Sequence, residues 1–242
     1  MGHALLNLPE SVGLLGLTHG ISDDFQDYLS GGRFTSVLTD SGTVAAGDAA
    51  GGVVTLTPSD GTVADNDEAY MKSTQEVFKF AAGKPLVAEC RLKFTEANTD
   101  DANVAFGLKD AVAANSILDD GGGPAASYSG CVFFKTDGDT VWNAESSNGA
   151  TQKTDNLVNT VSLDKLTKTA GGGVYQTLKI EATPNGGGLI DFAFYIDGAL
   201  VARHKDRSYS SATEMQLFVG VKNGGANLET VLVDYIRCHQ VR

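Results

Sequence analysis

Apolar and polar residues alternate along most of this chain with a period of two. In VAECRLKF (87–94), Ala88, Cys90, Leu92 and Phe94 fall on one side, and Glu89, Arg91 and Lys93 on the other. That is the pattern of a strand with one face buried. FAFYIDGALVAR (192–203) holds two such runs joined at Asp197-Gly198, a pair that tolerates positive φ and closes a two-residue hairpin. Further strand signals cover 51–58, 68–80, 86–96, 103–110, 129–146, 174–184, 214–223 and 229–242. Turns are expected at Asp137-Gly138, at Asn185-Gly186 and in the glycine loop after Asn223. One stretch, SDDFQDYL (22–29), predicts a short helix, with Ser22 as N-cap and Asp23 and Asp24 in its first turn. Short strands at this density predict an all-β protein, a single antiparallel β-sandwich.

With 242 residues, 42% of them hydrophobic, the chain can bury one sizeable core without disulfide staples. Residues 1–21 read as an apolar N-terminal arm carrying Leu5, Leu6, Leu8, Leu14, Leu15 and Leu17, and residues 22–242 as the sandwich domain. The arm has no Lys or Arg, and Pro9 and Glu10 interrupt it, so it is not expected to act as an export signal. No apolar run is long enough for a membrane-spanning helix. The net charge of −12 argues against a nucleic-acid surface, which needs a basic patch to displace counterions, and against docking on anionic membranes. Cys90, Cys131 and Cys238 are far apart and sit within strand patterns, which predicts free buried thiols and synthesis in a reducing cytoplasm.

Candidate chemistry is sparse. Glycoside cleavage needs two carboxylates at a set separation. The nearest candidates, DNDE (65–68) and DGDTVWNAE (137–145), lie at turns and lack the Glu-x-Asp-x-x-Glu spacing of sandwich glucanases. Asp- and Asn-rich loops at 98–103, 118–123 and 136–143 offer the hard oxygen ligands that Ca²⁺ prefers, but the same residues favour turns in their own right. No cofactor is therefore expected, with calcium as the one alternative. His3, His19, His204 and His239 show no metal spacing, and His239 shares a strand face with Arg237, which marks a solvent or partner surface. No nucleophile motif is present, and the triple-glycine loops read as turns. A sugar platform would need exposed aromatic rings. Trp142, Tyr128 and Tyr209 are the candidates, with core or cross-strand packing as the competing role.

The segments YQTLKIEATP (175–184), IDFAFYIDGALVARH (190–204), MQLFVGVKNG (215–224) and TVLVDYIRC (230–238) resemble the C-terminal half of a concanavalin A-like jelly roll. The likeness spans roughly residues 22–240. That superfamily includes lectins, glucanases, laminin-G-like modules and proteins that bind no sugar, so the fold does not choose a function. A narrower resemblance is to jelly-roll proteins encoded among the head genes of tailed bacteriophages. It rests on the DDF segment (23–25), on KFAAGKPLVAECRLKFTEANTDDANVAFGLKDA (79–111) and on DDGGGPAASYSG (119–130). It implies a structural virion protein, not an enzyme: a cement or decoration protein on the outer capsid surface. Its implied partners are the major capsid protein and further copies of itself. The leucine-rich arm would either clamp a capsid groove or sister subunit, or add an edge strand to its own sandwich. The alternative is a lectin-like carbohydrate-binding module using Trp142, Tyr128 or Tyr209, and the third choice a glycoside hydrolase.

Overall fold

A computed structural model describes residues 17–59, 61–96, 101–157, 170–171 and 173–242. Every regular element among them is a strand: β1 (Thr18–Asp23), β2 (Phe34–Leu38), β3 (Ser41–Ala46), β4 (Val54–Ser59), β5 (Glu68–Ser73), β6 (Leu86–Thr95), β7 (Ala102–Lys109), β8 (Ser129–Lys135), β9 (Asn143–Asn148), β10 (Gln152–Asn156), β11 (Gln176–Gly186), β12 (Leu189–Ile196), β13 (Ala199–Ser208), β14 (Gln216–Asn223) and β15 (Thr230–Val241). They form two antiparallel sheets, which is the expected sandwich.

The first sheet runs β13-β12-β11-β6-β15-β4-β3. β15 pairs with β6 along most of its length, and on its other edge with β4 first and then β1. The second sheet runs β10-β9-β8-β7-β14-β5-β2. The inner faces meet in one apolar core, to which the alternating strands contribute every second residue: Ala88, Cys90, Leu92 and Phe94 from β6, Phe192 and Phe194 from β12, Leu217, Val219 and Val221 from β14. All three cysteines are free and buried, on the apolar faces where the alternation puts them, and burial pushes each thiol up. Trp142 is fully enclosed between Phe94 and Phe133, which meet it edge-on at 5.9 and 6.4 Å. Its indole N–H donates to Gln176 Oε1 at 3.0 Å.

The helix expected at 22–29 does not form. Residues 18–23 continue as β1, in register with β15 from Thr18↔Val241 to Asp23↔Ile236. The carboxylate of Asp23 accepts the Phe25 N–H at 3.0 Å, a local bond that competes with a helical first turn. Phe25 then adopts φ +54° and is almost fully buried. Inserting this one ring into the end of the core outweighs the helical preference of its neighbours. The boundary between arm and sandwich at 21/22 thus falls inside a strand. Leu5, Leu6, Leu8, Leu14 and Leu15 lie outside the described residues.

The second sheet has an additional layer. Residues 110–128 cross its outer face as a strap, burying Val112, Ile117 and Tyr128 against Tyr70, Ala105, Val132, Phe134 and Phe218. Three lysines from the sheet donate to the strap's backbone: Lys72 to Val112 O at 2.9 Å, Lys109 to Ser116 O at 3.0 Å and Lys222 to Ile117 O at 3.3 Å. Lys222 also pairs with Asp119 and donates to Asn115 Oδ1 at 2.8 Å. Gly220 sits opposite Tyr70 in register, and a Cβ there would collide with the tyrosine ring.

Candidate functional site

The three rings that the sequence offers as sugar-platform candidates turn inward, Trp142 and Tyr128 buried and Tyr209 half-buried. Trp142 is core, as described. Tyr128 is buried under its own strap and donates to Glu145 Oε1 at 3.0 Å. Tyr209 packs edge-on against Phe80 and Phe192 at 4.7 and 5.5 Å and donates to Gly130 O. In each case apolar burial with one satisfied polar atom wins over exposure.

The sequence-identified carboxylates are likewise occupied. Glu68 accepts from Tyr70 OH at 2.7 Å and from the Asn115 N–H at 2.8 Å. Glu145 accepts from Tyr128, Gln152 and Thr154. Both project from the outer face of the second sheet, but β14, β7 and β8 separate their strands. Four strand steps put them on the order of 19 Å apart, too far to act as one hydrolytic pair. Asp139, in the third calcium-type loop, accepts from Thr136 and Asn143 instead. Among the described residues no group of three or more His, Cys, Asp or Glu side chains is placed to hold a metal.

Folding does assemble one trio that no local motif announces. Ser146 Oγ lies 2.7 Å from His204 Nδ1, and Asp155 Oδ2 lies 3.3 Å from His204 Nε2 without the alignment of a hydrogen bond. The residue types are those of a nucleophilic triad. Ser146 and His204 are, however, fully buried, and Arg207 also donates to Ser146 Oγ at 3.1 Å. Burial, with the charges of Lys153 and Arg207, lowers the His204 pKa to about 3, so the ring is neutral at pH 7 and forms no ion pair with Asp155. With Ser146 Oγ sealed from solvent, this network is part of the packing.

An open groove lies elsewhere among the described residues, on the outer face of the first sheet where β1, β15 and the loop after β1 meet. It encloses about 480 Å³ and is lined by Ser22, Asp23, Asp24, Arg33, Tyr235 and Arg237. A neighbouring hollow of about 410 Å³ adjoins it through Asp23, Asp24 and Arg33. β1 delivers Ser22 directly opposite Arg237, and period-two alternation puts Tyr235 and Arg237 on the solvent side of β15 while Ile236 and Cys238 enter the core. Phe25, pinned in the core, fixes the loop that carries Asp24.

The polar groups of the groove are held from beneath. Glu89 of β6 accepts from Tyr235 OH and from Arg237 Nη2, both at 2.7 Å. Burial and this carboxylate push the Tyr235 phenol up to about 12, so it stays a neutral donor. Arg33 pairs with Asp23 at 3.2 Å. Next to Tyr235 in register is Arg91, which pairs with Asp234 and lies 4.3 Å over the Tyr175 ring. One row of in-register residues, Ser22, Arg237, Glu89, Lys179 and Tyr195, crosses five strands. It extends the polar surface from the groove on the order of 19 Å across the sheet. Of the groove's charged and aromatic residues, sequence patterning marks Arg237 alone as facing solvent or a partner. Arg33, Asp23, Asp24 and Tyr235 escape it, since they come together only because β1 and β15, at opposite ends of the described chain, pair.

No family model matches the chain, and no curated protein matches it. Solved structures do. The carbohydrate recognition domain of Emp47p aligns over 92% of this chain and 96% of its own, at TM-score 0.59 and 11% identity. The β-glucanase of Bacillus licheniformis aligns over 90% and 96%, at 0.59 and 13%. The endo-β-1,4-glucuronan lyase of Trichoderma reesei aligns over 90% and 94%, at 0.58 and 11%. The fold is therefore the concanavalin A-like jelly roll that the sequence resembles. The expectation that the chain is not an enzyme is corrected by these similarities: a glucanase and a lyase carry the same architecture, which enzymes and non-enzymes share.

Proposed function

We propose that this protein binds carbohydrate through the groove on the outer face of its first sheet. The observation that carries the reading is the groove's composition. A tyrosine ring, two guanidiniums and two carboxylates converge on one solvent-open hollow, all but Asp24 held by strand pairing or an ion pair. An apolar ring face with a few fixed polar groups is what a polyhydroxylated ring requires. The fold is one it shares with a carbohydrate recognition domain and with a β-glucanase, which supports the reading at the level of architecture. A glycan array probed with the intact protein tests it. Binding to at least one glycan class is expected, weakened about tenfold or more, some 1.4 kcal/mol, in a Tyr235→Ala variant that retains the fold by circular dichroism. Absence of binding to every glycan overturns it. The retained polymers, incubated with the protein and assayed for new chain ends, show whether binding leads on to cleavage.

A separate proposal concerns the leucine-rich arm. Leu17, its last leucine, is 59% exposed beside the C-terminal residue, whose N–H bonds to its carbonyl. An apolar side chain in that position is suited to cover by a capsid lattice or a sister copy, the role implied by the head-protein resemblance. Removing residues 1–17 is expected to lower occupancy on purified phage heads, and unchanged occupancy overturns the clamp.

A further inference from the structure

The groove's ligand class can be read from which charges face outward. Around it stand three ion pairs, and in each the carboxylate is the inner member and the guanidinium the outer one. The side chains of Arg33, Arg237 and Arg91 are 57%, 50% and 40% exposed, against 20%, 11% and 27% for Asp23, Glu89 and Asp234. The carboxylates are spent on positioning. Glu89 already holds Tyr235 and Arg237, and Asp23 holds Arg33 and the Phe25 amide. Each guanidinium carries five donors in a rigid planar fork, and its inner partner engages one edge, leaving outward N–H groups fixed in direction.

We infer that this groove recognises a glycan bearing carboxylate groups, its acid functions received by Arg237, Arg91 and Arg33. The inference rests on the carbohydrate reading above and goes further by naming the ligand's charge. A planar carboxylate matches the fork in a bidentate fashion. Holding the arginines beforehand removes part of the side-chain entropy that binding would otherwise cost. Lys93 lies 4.9 Å from the Tyr175 ring, so the cationic surface continues along β6 beyond Arg91. The exposed carboxylate of Asp24 in the groove's lining suits sugar hydroxyls, which donate to it, and opposes a ligand with charge on every side. With a net charge of −12 on the whole chain, long-range attraction of a polyanion is absent, so recognition depends on these local forks.

The test is calorimetric binding of the intact protein to oligogalacturonate and to a neutral β-glucan oligosaccharide of equal length, at low and at physiological salt. The acidic ligand is expected to bind about tenfold tighter or better, with affinity falling as salt rises. The preference should disappear in Arg237→Gln combined with Arg91→Gln, with the fold retained by circular dichroism. Arg33→Gln provides an independent variant should the pair perturb folding. Equal or tighter binding of the neutral glucan overturns the inference and leaves the carbohydrate reading intact. Binding of neither ligand, together with an empty glycan array, overturns both.

Discussion

The outer faces of the two sheets carry the same three side-chain types in two different settings. On the strap-covered sheet Tyr70 donates to Glu68 at 2.7 Å, and Lys222 stands 3.7 Å from the same carboxylate. On the open sheet Tyr195 donates to Glu181 at 3.0 Å and Lys179 pairs with it at 2.8 Å. The Tyr70 trio is sealed under the strap, and every residue of β14 is buried. The Tyr195 trio faces water, on a sheet whose β12 alternates strictly between half-buried and buried positions. Identical chemistry therefore serves different ends. Under the strap the charges fasten a chain segment to the sheet. On the open face they hold tyrosines and cations in place on a solvent-facing surface that leads to the groove.

The sharpest way to break this comparison is to remove the cation from each trio. Lys222→Met leaves Glu68 and Asp119 without their shared ammonium, with Glu68 in full burial. Breaking a buried pair from one side costs about 3–5 kcal/mol, read as a lower denaturant midpoint. Hydrogen exchange should rise first in residues 110–128. A loss below about 1 kcal/mol would mean that the Lys222 charge does not fasten the strap.

The next expectation concerns pH. Burial lowers the Lys109 pKa from 10.5 to about 8. The folded protein then binds fewer protons than the unfolded chain between pH 8 and 10.5, so this group makes stability rise with pH across that window. The slope is at most about 1.4 kcal/mol per pH unit. Comparing wild type with Lys109→Met cancels the background from tyrosines, and the difference should carry the slope. A pH-independent difference would show that Lys109 keeps its charge under the strap.

One face was legible in the sequence and the other hidden, for a physical reason. Glu89, Arg91 and Lys93 alternate with core residues, and Arg237 shares a strand face with His239, so the open face was readable as a solvent side. The strap was not, because Lys72, Lys109 and Lys222 resemble any solvated lysine until carbonyls 40, 7 and 105 residues away in the chain fold over them. Phe218 carried the available signal: an aromatic at the outward parity of β14 needs cover, yet within its run it passes for ordinary strand pattern. For Trp142 and Tyr128 the sequence left platform and core packing both open, since an aromatic beside a turn gives the same pattern whether it points out or in. The groove required the pairing of β1 with β15, a contact between chain ends that no local pattern encodes.

Removing a hydroxyl sharpens the contrast at intermediate size. Tyr70→Phe takes one donor from Glu68 and one acceptor from the Ile117 N–H, which bonds Tyr70 OH at 3.1 Å. Leaving buried polar groups unmatched costs about 1–3 kcal/mol, and the loss should appear in the melting of the whole domain. A neutral result would place water inside the strap as a substitute partner.

The smallest effect belongs to the open face. Lys179 lies 4.1 Å over the Tyr195 ring as well as pairing with Glu181, but water is at hand to solvate whatever the ammonium leaves behind. Lys179→Met is expected to change stability by less than about 1 kcal/mol, because screening and side-chain entropy offset most of the Coulomb gain of an exposed pair. The methionine retains apolar cover for the tyrosine ring, so melting should scarcely move. The loss should instead appear in binding, since Lys179 belongs to the row that runs from the groove across β6 and β11. If Lys179→Met costs stability on the scale of Lys222→Met, the open face shares the fastening role of the covered one, and the division of labour between the two sheets fails.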